Sequence, residues 1–227
     1  MLVTGANRGI GREFVRQFAE DGWRIHAACR KPAEAATLHD LAKRHAGRVS
    51  VEALDVTDGE SVKALARKLD GVALDLLLNN AGVYGGRGQE LGAIDYSVWA
   101  GVLDTNVVGP MRVTEAFLDH LLRGERKLLV SISSRMGSIA ESGGGSYLYR
   151  ASKAALNMCN RNWSLALGPK GVACVVLHPG WVKTDMGGAA AAVAPEASVA
   201  GMRKLIAGFG PKDNGKFYDF EGKSIAW

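Results

Sequence analysis

Cysteine is scarce in this chain: Cys29, Cys159 and Cys174 are odd in number and form no C-x-x-C pair. That excludes a disulfide framework and a cysteine zinc site, and no metal is expected. No apolar run reaches the roughly 18 residues needed to span a membrane. Met1 leads directly into Leu-Val-Thr-Gly, without the basic stretch and apolar segment of a secretory signal. A reducing, cytoplasmic setting with no membrane partner is the expectation. The formal charge is +5, but there is no run of five or six basic residues and no aromatic interleaving. A nucleic-acid stripe is therefore not expected, and a pocket for one multiply phosphorylated ligand stays compatible. Glycine, by contrast, is abundant at 29 of 227 residues, which points to tight turns or close backbone approach to a ligand.

Short apolar runs alternate with longer amphipathic stretches from end to end. The runs are Leu2-Val3, Arg24 to Cys29, Val49 to Leu54, Leu74 to Leu78, Leu128 to Ile132 and Val172 to Leu177. Their Val, Ile, Leu and Ala content reads as strands buried on both faces. Between them Ile10, Phe14, Val15 and Phe18 recur at helical spacing, as do Val62, Leu65, Ala66 and Leu69. Val107, Met111, Phe117, Leu118 and Leu121 mark one long helix, and Ala154 to Leu167 another. This alternation predicts an α/β doubly wound parallel sheet with right-handed crossovers and helices on both faces. The stretches 141–146 and 187–194 read as mobile loops beside a pocket.

The strongest local signal is Thr-Gly-Ala-Asn-Arg-Gly-Ile-Gly at 4–11. A strand ends at Val3, Gly5 makes the turn, and Gly9 and Gly11 open a helix whose apolar face starts at Ile10. A Cβ at these positions would keep the backbone from a pyrophosphate, and the helix start adds free N–H groups and a positive dipole end. The spacing is G-x-x-x-G-x-G rather than the commoner G-x-G-x-x-G, and a glycine turn without a ligand is the plainer reading. About 20 residues further on, where NAD sites place an acid on the ribose hydroxyl, the chain reads Ala28-Cys29-Arg30-Lys31. Arg30, with Arg8, is a candidate grip for a 2′-phosphate, which favours NADP over NAD; two solvated arginines are the alternative.

These residues resemble the short-chain dehydrogenase/reductase family, and the likeness continues in order along the whole chain. The 4–11 motif resembles the family's glycine motif, with Gly5, Asn7, Arg8, Gly9, Ile10 and Gly11 as cofactor contacts. Leu-Asp-Val-Thr-Asp at 54–58 is similar to the adenine-contacting segment, here Asp55 and Val56. Asn-Asn-Ala-Gly at 79–82 resembles the segment under the adenine ribose, giving Asn80, Ala81 and Gly82. Asn106 corresponds to the structural and proton-relay Asn, Ser134 to the catalytic Ser, and Tyr149 with Lys153 to the Tyr-x-x-x-Lys pair. Pro179, Gly180, Val182 and Thr184 match the turn that holds the nicotinamide. The ending Ile-Ala-Trp and the 178–188 segment look most like the branch of C-factor and the carbonyl reductases.

The resemblance implies a Rossmann-type fold of about seven strands, residues 1–227 as a single domain, and an NADPH-dependent reductase acting on a small-molecule carbonyl substrate. Tyr149 and Lys153 are four apart and share one helix face; a nearby ammonium would lower the phenol pKa toward working pH. Tyr147 lacks such a cation and reads as pocket or packing. The interval from Ser134 to Tyr149 is slightly longer than is usual in the family, so Ser133 and Ser138 stay as candidates, and a turn serine is the plainer reading. Asn106 could equally break its helix locally, and His178 reads as a packed residue. Tyr84, Met136, Trp181 and Met186 are candidate pocket walls. The helices at 97–122 and 147–167 offer a homodimer face. A noncatalytic NADP-binding sensor and a sugar-nucleotide epimerase are the rival readings.

Overall fold

In the computed structural model, which describes all 227 residues, the apolar runs become β1 (Leu2–Thr4), β2 (Ile25–Cys29), β3 (Val49–Ala53), β4 (Leu76–Asn79), β5 (Leu128–Ile132) and β6 (Ala173–His178). A seventh strand, β7 (Lys216–Asp219), extends the edge. All pair in parallel, in the order β3-β2-β1-β4-β5-β6-β7. The α/β doubly wound expectation holds. β7 had no apolar run to announce it: in Lys-Phe-Tyr-Asp the Phe217 and Asp219 side chains are buried and their neighbours are not, the alternation of a strand with one covered face.

Helices cover both faces. α1 (Gly9–Glu20), α2 (Ala36–Arg44) and α8 (Pro195–Gly208) pack on one side, where Phe14, Phe18, Leu38, Leu76, Leu78, Met202 and Ile206 share a core. α3 (Gly59–Lys68), α5 (Gly109–Ala116), α6 (Leu118–Arg123) and α7 (Tyr147–Leu167) pack on the other, around Leu77, Leu129, Phe117, Leu121 and Trp163. Leu76 and Leu78 face one core and Leu77 the other because successive strand residues point to opposite faces. That double burial is why β4 reads as an unbroken apolar run.

The long helix expected across 107–121 is instead interrupted. α4 (Tyr96–Leu103) runs through a wide π-turn at Asp104–Val108 into α5, and Phe117, at φ −104° and ψ 12°, separates α5 from α6. Pro110 explains the first break: it has no N–H to give to the carbonyl four residues back, and the wide turn relieves its ring. The 187–194 segment is tied down, because Val193 bridges Val182 and exchanges backbone hydrogen bonds with Trp181 and Lys183. No helix is long and apolar enough to cross a membrane.

Crossovers from β1 run one way to β2 and β3, and later ones run the other way from β4 to β7. The loops at the carboxyl ends of β1 and β4 therefore part, and open α/β sheets bind ligands in the crevice so formed.

Candidate active site

A single cleft of about 1520 Å³ lies along that carboxyl edge. Gly5, Asn7, Arg8, Gly9, Ile10 and Gly11 line it, as do Arg30, Asp55, Val56, Asn80, Ala81, Gly82, Pro179, Gly180, Val182 and Thr184. Ser134, Tyr149 and Lys153 line the same cleft. Asn106, Ser138 and Tyr147 do not.

At the β1 end the wall is backbone. A Cβ on Gly11 would stand 2.2 Å from the Gly5 carbonyl oxygen and 2.5 Å from Asn80 Nδ2, and Gly5 has φ +65° with the Ala81 backbone at 2.9 Å. The sequence reading missed Thr4, which joins this turn to β4: its Oγ1 accepts from the N–H groups of Asn80 and Ala81, each at 3.0 Å. Asn80 in turn donates to the Thr4 and Gly5 carbonyls at 2.8 and 3.2 Å. Its side chain is thereby committed to bracing the glycine turn. α1 has no capping side chain and no acid in its first turn, so its positive end faces the cleft unneutralised, as a diphosphate requires. The residues present fit a dinucleotide.

At the adenine end, Asp55 accepts from the Thr57 N–H at 2.9 Å and hydroxyl at 2.7 Å. Burial alone would raise its pKa, but the Thr57 bonds and the Arg30 charge outweigh it and the net shift is downward. Arg8 does not join Arg30. It pairs with Asp185 at 3.3 Å across the mouth of the cleft, which leaves Arg30 as the cation for a 2′-phosphate. Lys31, which bonds Glu34 at 2.9 Å, also lines this end together with Cys29, Leu54 and Thr57; all four lie in the segments 28–31 and 54–58, where only Arg30, Asp55 and Val56 were singled out.

Tyr149 and Lys153 lie four apart at the start of α7, as their spacing requires. The Lys153 Nζ stands 5.6 Å from the Tyr149 ring centroid and donates to the Ile132 carbonyl at 2.9 Å. The expected drop in the phenol pKa is not what this geometry gives. Burial pushes Tyr149 up to about 12, opposed by a hydrogen bond from Ser134 and reinforced by Tyr84, whose ring lies 5.0 Å away. Burial also brings Lys153 down to about 8. The phenol is therefore held protonated, and the lysine is the group whose pKa lies nearer neutrality.

The three serines separate cleanly. Ser134 faces the phenol and accepts from the Met136 N–H at 3.2 Å. Ser133 donates to Asn157 at 2.6 Å, fastening β5 to α7. Ser138 accepts from the Glu141 N–H outside the cleft. Asn106 sits fully buried in the π-turn, where it accepts from the Val83 N–H and donates to the Val83 carbonyl, each at 2.8 Å, and to Ser152 at 2.9 Å. It holds the loop after β4 against α7; Gly82 lies between it and the Lys153 ammonium, its Cβ position 3.3 Å from the amide oxygen and 3.5 Å from Nζ. Tyr84, Met136, Trp181 and Met186 line the far half, as expected, and Arg87, Arg135 and Arg150, which the sequence reading did not single out, line it with them.

The family description short chain dehydrogenase matches residues 1–193. C-signal of Myxococcus xanthus is 44% identical over 167 residues, 73% of this chain and 100% of that one. The 1-hydroxy-2-glutathionyl-2-methyl-3-butene dehydrogenase of Rhodococcus sp. strain AD45 is 37% identical over 100% of this chain and 99% of its own. Among solved structures, the NADPH-bound carbonyl reductase from chicken fatty liver superposes with a TM-score of 0.91 at 39% identity, covering 100% of this chain and 98% of that one. Carbonyl reductase Sniffer of D. melanogaster superposes with a TM-score of 0.93 at 32% identity, with the same two coverages. Glycine turn, switch-point cleft and Tyr-x-x-x-Lys helix thus meet in one chain that is similar throughout to those proteins: it belongs to the short-chain dehydrogenase/reductase family, in its carbonyl-reductase-like branch.

Proposed function

We propose that the chain is an NADPH-dependent carbonyl reductase that converts a ketone, aldehyde or quinone to the alcohol, with Tyr149 as proton donor. The observation that carries this reading is that Tyr149, Ser134 and Lys153 stand at the sheet edge in the same cleft as the glycine turn. NADPH, when bound, supplies the hydride for the carbonyl carbon. Tyr149 Oη donates its proton to the carbonyl oxygen as charge develops there, and the Ser134 hydroxyl donates a hydrogen bond to the same oxygen. Lys153, with a pKa near 8, is suited to return a proton to the phenolate. Asn106 acts as a positioning residue through the Val83 loop.

Arg30 supports NADPH over NADH, since no acid occupies the end of β2. Three unpaired cysteines fit a reducing cytoplasm, where NADPH is available. A homodimer is supported by the exposed Val108, Met111, Met158 and Leu165 on α4–α5 and α7.

The test is loss of NADPH absorbance with a panel of quinones and aldehydes. Tyr149→Phe is expected to lower kcat by about 10²–10⁴-fold while leaving NADPH affinity unchanged, because the proton moves only in the transition state. Unchanged turnover in that variant would sink the mechanism. NADPH binding without turnover on the whole panel would favour a noncatalytic NADP-binding protein.

A further inference from the structure

Beyond Tyr149 the cleft is walled by the apolar Met136, Trp181 and Met186, by Tyr84, and by three arginines. Arg135 is committed, to Glu141 at 2.8 Å and Asp219 at 3.2 Å. Arg150 is not. Its Nη1 reaches only the Met136 carbonyl, at 3.4 Å, and its Nε is buried with no partner. No carboxylate comes within ion-pair reach of it: Glu141 is held by Arg135, and Glu90, the other acid on this side of the cleft, forms no ion pair with it.

The position is an unfavourable one for a lone cation. Arg150 lies at the start of α7, directly after Tyr149, and the first turn of that helix carries no acidic residue. The positive end of the helix dipole therefore adds to the guanidinium instead of opposing it. A buried N–H left without an acceptor is destabilising. Gly143 lies beside the guanidinium, where even a Cβ would stand 3.9 Å from Nη2, and it brings no side-chain acceptor to it. Arg87, on the loop after β4, adds a second cation with no ion pair to the same half.

We propose that Arg150 binds a carboxylate of the carbonyl substrate, which makes the substrate class acidic ketones or aldehydes with an apolar body. A guanidinium matches a carboxylate through two parallel N–H donors and stays charged at every working pH. The apolar walls take the carbon skeleton, and Tyr149 and Ser134 take the carbonyl oxygen. Arg150 is thus a specificity-determining residue, and only the carbonyl end of the inference rests on the reductase reading.

The experiment compares para- and meta-formylbenzoate with their methyl esters as substrates of the NADPH-loaded protein. In the unmodified protein the better acid is expected to exceed its ester in kcat/KM by about tenfold or more, chiefly through KM. Arg150→Met keeps the stem without the charge, and should bring the acid-to-ester ratio of kcat/KM down to about one. Arg150→Lys should restore part of the preference. An acid-to-ester ratio that is the same in the unmodified protein and Arg150→Met overturns the proposal.

A binding arm separates this failure from failure of the reductase reading. Benzoate is titrated calorimetrically into both NADPH-loaded proteins. If neither these aldehydes nor any member of the quinone and aldehyde panel turns over, the carbonyl reading falls, and benzoate binding that is lost in Arg150→Met still supports the anion site. Benzoate binding equal in both proteins, or absent from both, overturns it.

Discussion

Between the end of β1 and the start of α1 the cleft wall is backbone, with Gly5 and Gly11 set where a side chain has no room. Beyond Tyr149 the wall is side chain, brought in by separate loops: Tyr84 and Arg87 after β4, Met136 after β5, Trp181 and Met186 after β6. A backbone wall makes the same contacts whatever residues flank it, but only if particular positions lack a Cβ. A side-chain wall has no such fixed positions, and each residue in it changes what can bind. The first construction suits a ligand of fixed shape, and the second suits a substrate that can vary.

Substituting one glycine from each half should give the largest contrast. Gly11→Ala places a methyl 2.2 Å from the Gly5 oxygen, so the turn must move. A thermal melt should show a loss of about 1–3 kcal/mol or more, and NADPH titration should show binding lost. Gly143→Ala, with ordinary φ and its nearest neighbour at 3.9 Å, should leave both measurements unchanged. NADPH affinity retained in Gly11→Ala would mean that the backbone wall is not what holds the cofactor.

A smaller effect tests Arg30, the side chain proposed to select for the 2′-phosphate. Arg30→Ala should raise the NADPH dissociation constant by about 10–100-fold, the worth of one or two charge-assisted hydrogen bonds, and leave NADH affinity nearly unchanged. Equal losses for both dinucleotides would remove Arg30 from the phosphate site. They would also return Arg8 to consideration, since its exposed pair with Asp185 is weak enough to be exchanged for a phosphate.

The same contrast explains how much could be read from the sequence. Five strands were legible because both faces are buried, which writes each as an apolar run. β3, at one sheet edge, is only partly buried and was legible from Val49, Val51 and Ala53. β7, at the other edge, alternates Lys, Phe, Tyr and Asp and left only a four-residue trace. The glycine turn was legible since its steric demand fixes residue type at fixed intervals. Tyr149 and Lys153 were legible because four residues is one helical turn. The break at Asp104–Val108 was anticipated only as one of two readings of Asn106, although Pro110 signals it as well. Nor was the Tyr149 pKa, because the phenol's burial and the Lys153 bond to Ile132 depend on packing that spacing does not encode. Arg150 went unremarked because its significance is a missing partner, and a missing partner is visible only once the neighbours are in place.

His178, at the end of β6, lies in the cleft wall near the junction of the halves and gives the smallest predicted effect. Its Nδ1 has no partner. Burial, reinforced by Arg135 and opposed by Asp219 and Glu141, holds its pKa down at about 4, against 6.5 for a free imidazole. Above pH 6.5 the ring is neutral in both folded and unfolded chains and contributes nothing to pH dependence. Between 6.5 and 4 the unfolded chain takes up a proton that the folded one does not, so stability falls as pH falls. The full loss is at most about 3.4 kcal/mol, less where the cleft admits water. His178→Asn should flatten that part of the stability curve in denaturant titrations from pH 7 to pH 4, whereas Gly11→Ala should lower the whole curve without changing its slope. An acid slope that survives in His178→Asn would assign it to the carboxylates whose pKa the fold lowers, Glu13, Glu52 and Asp55, since stability held by a lowered carboxylate is also lost as pH falls.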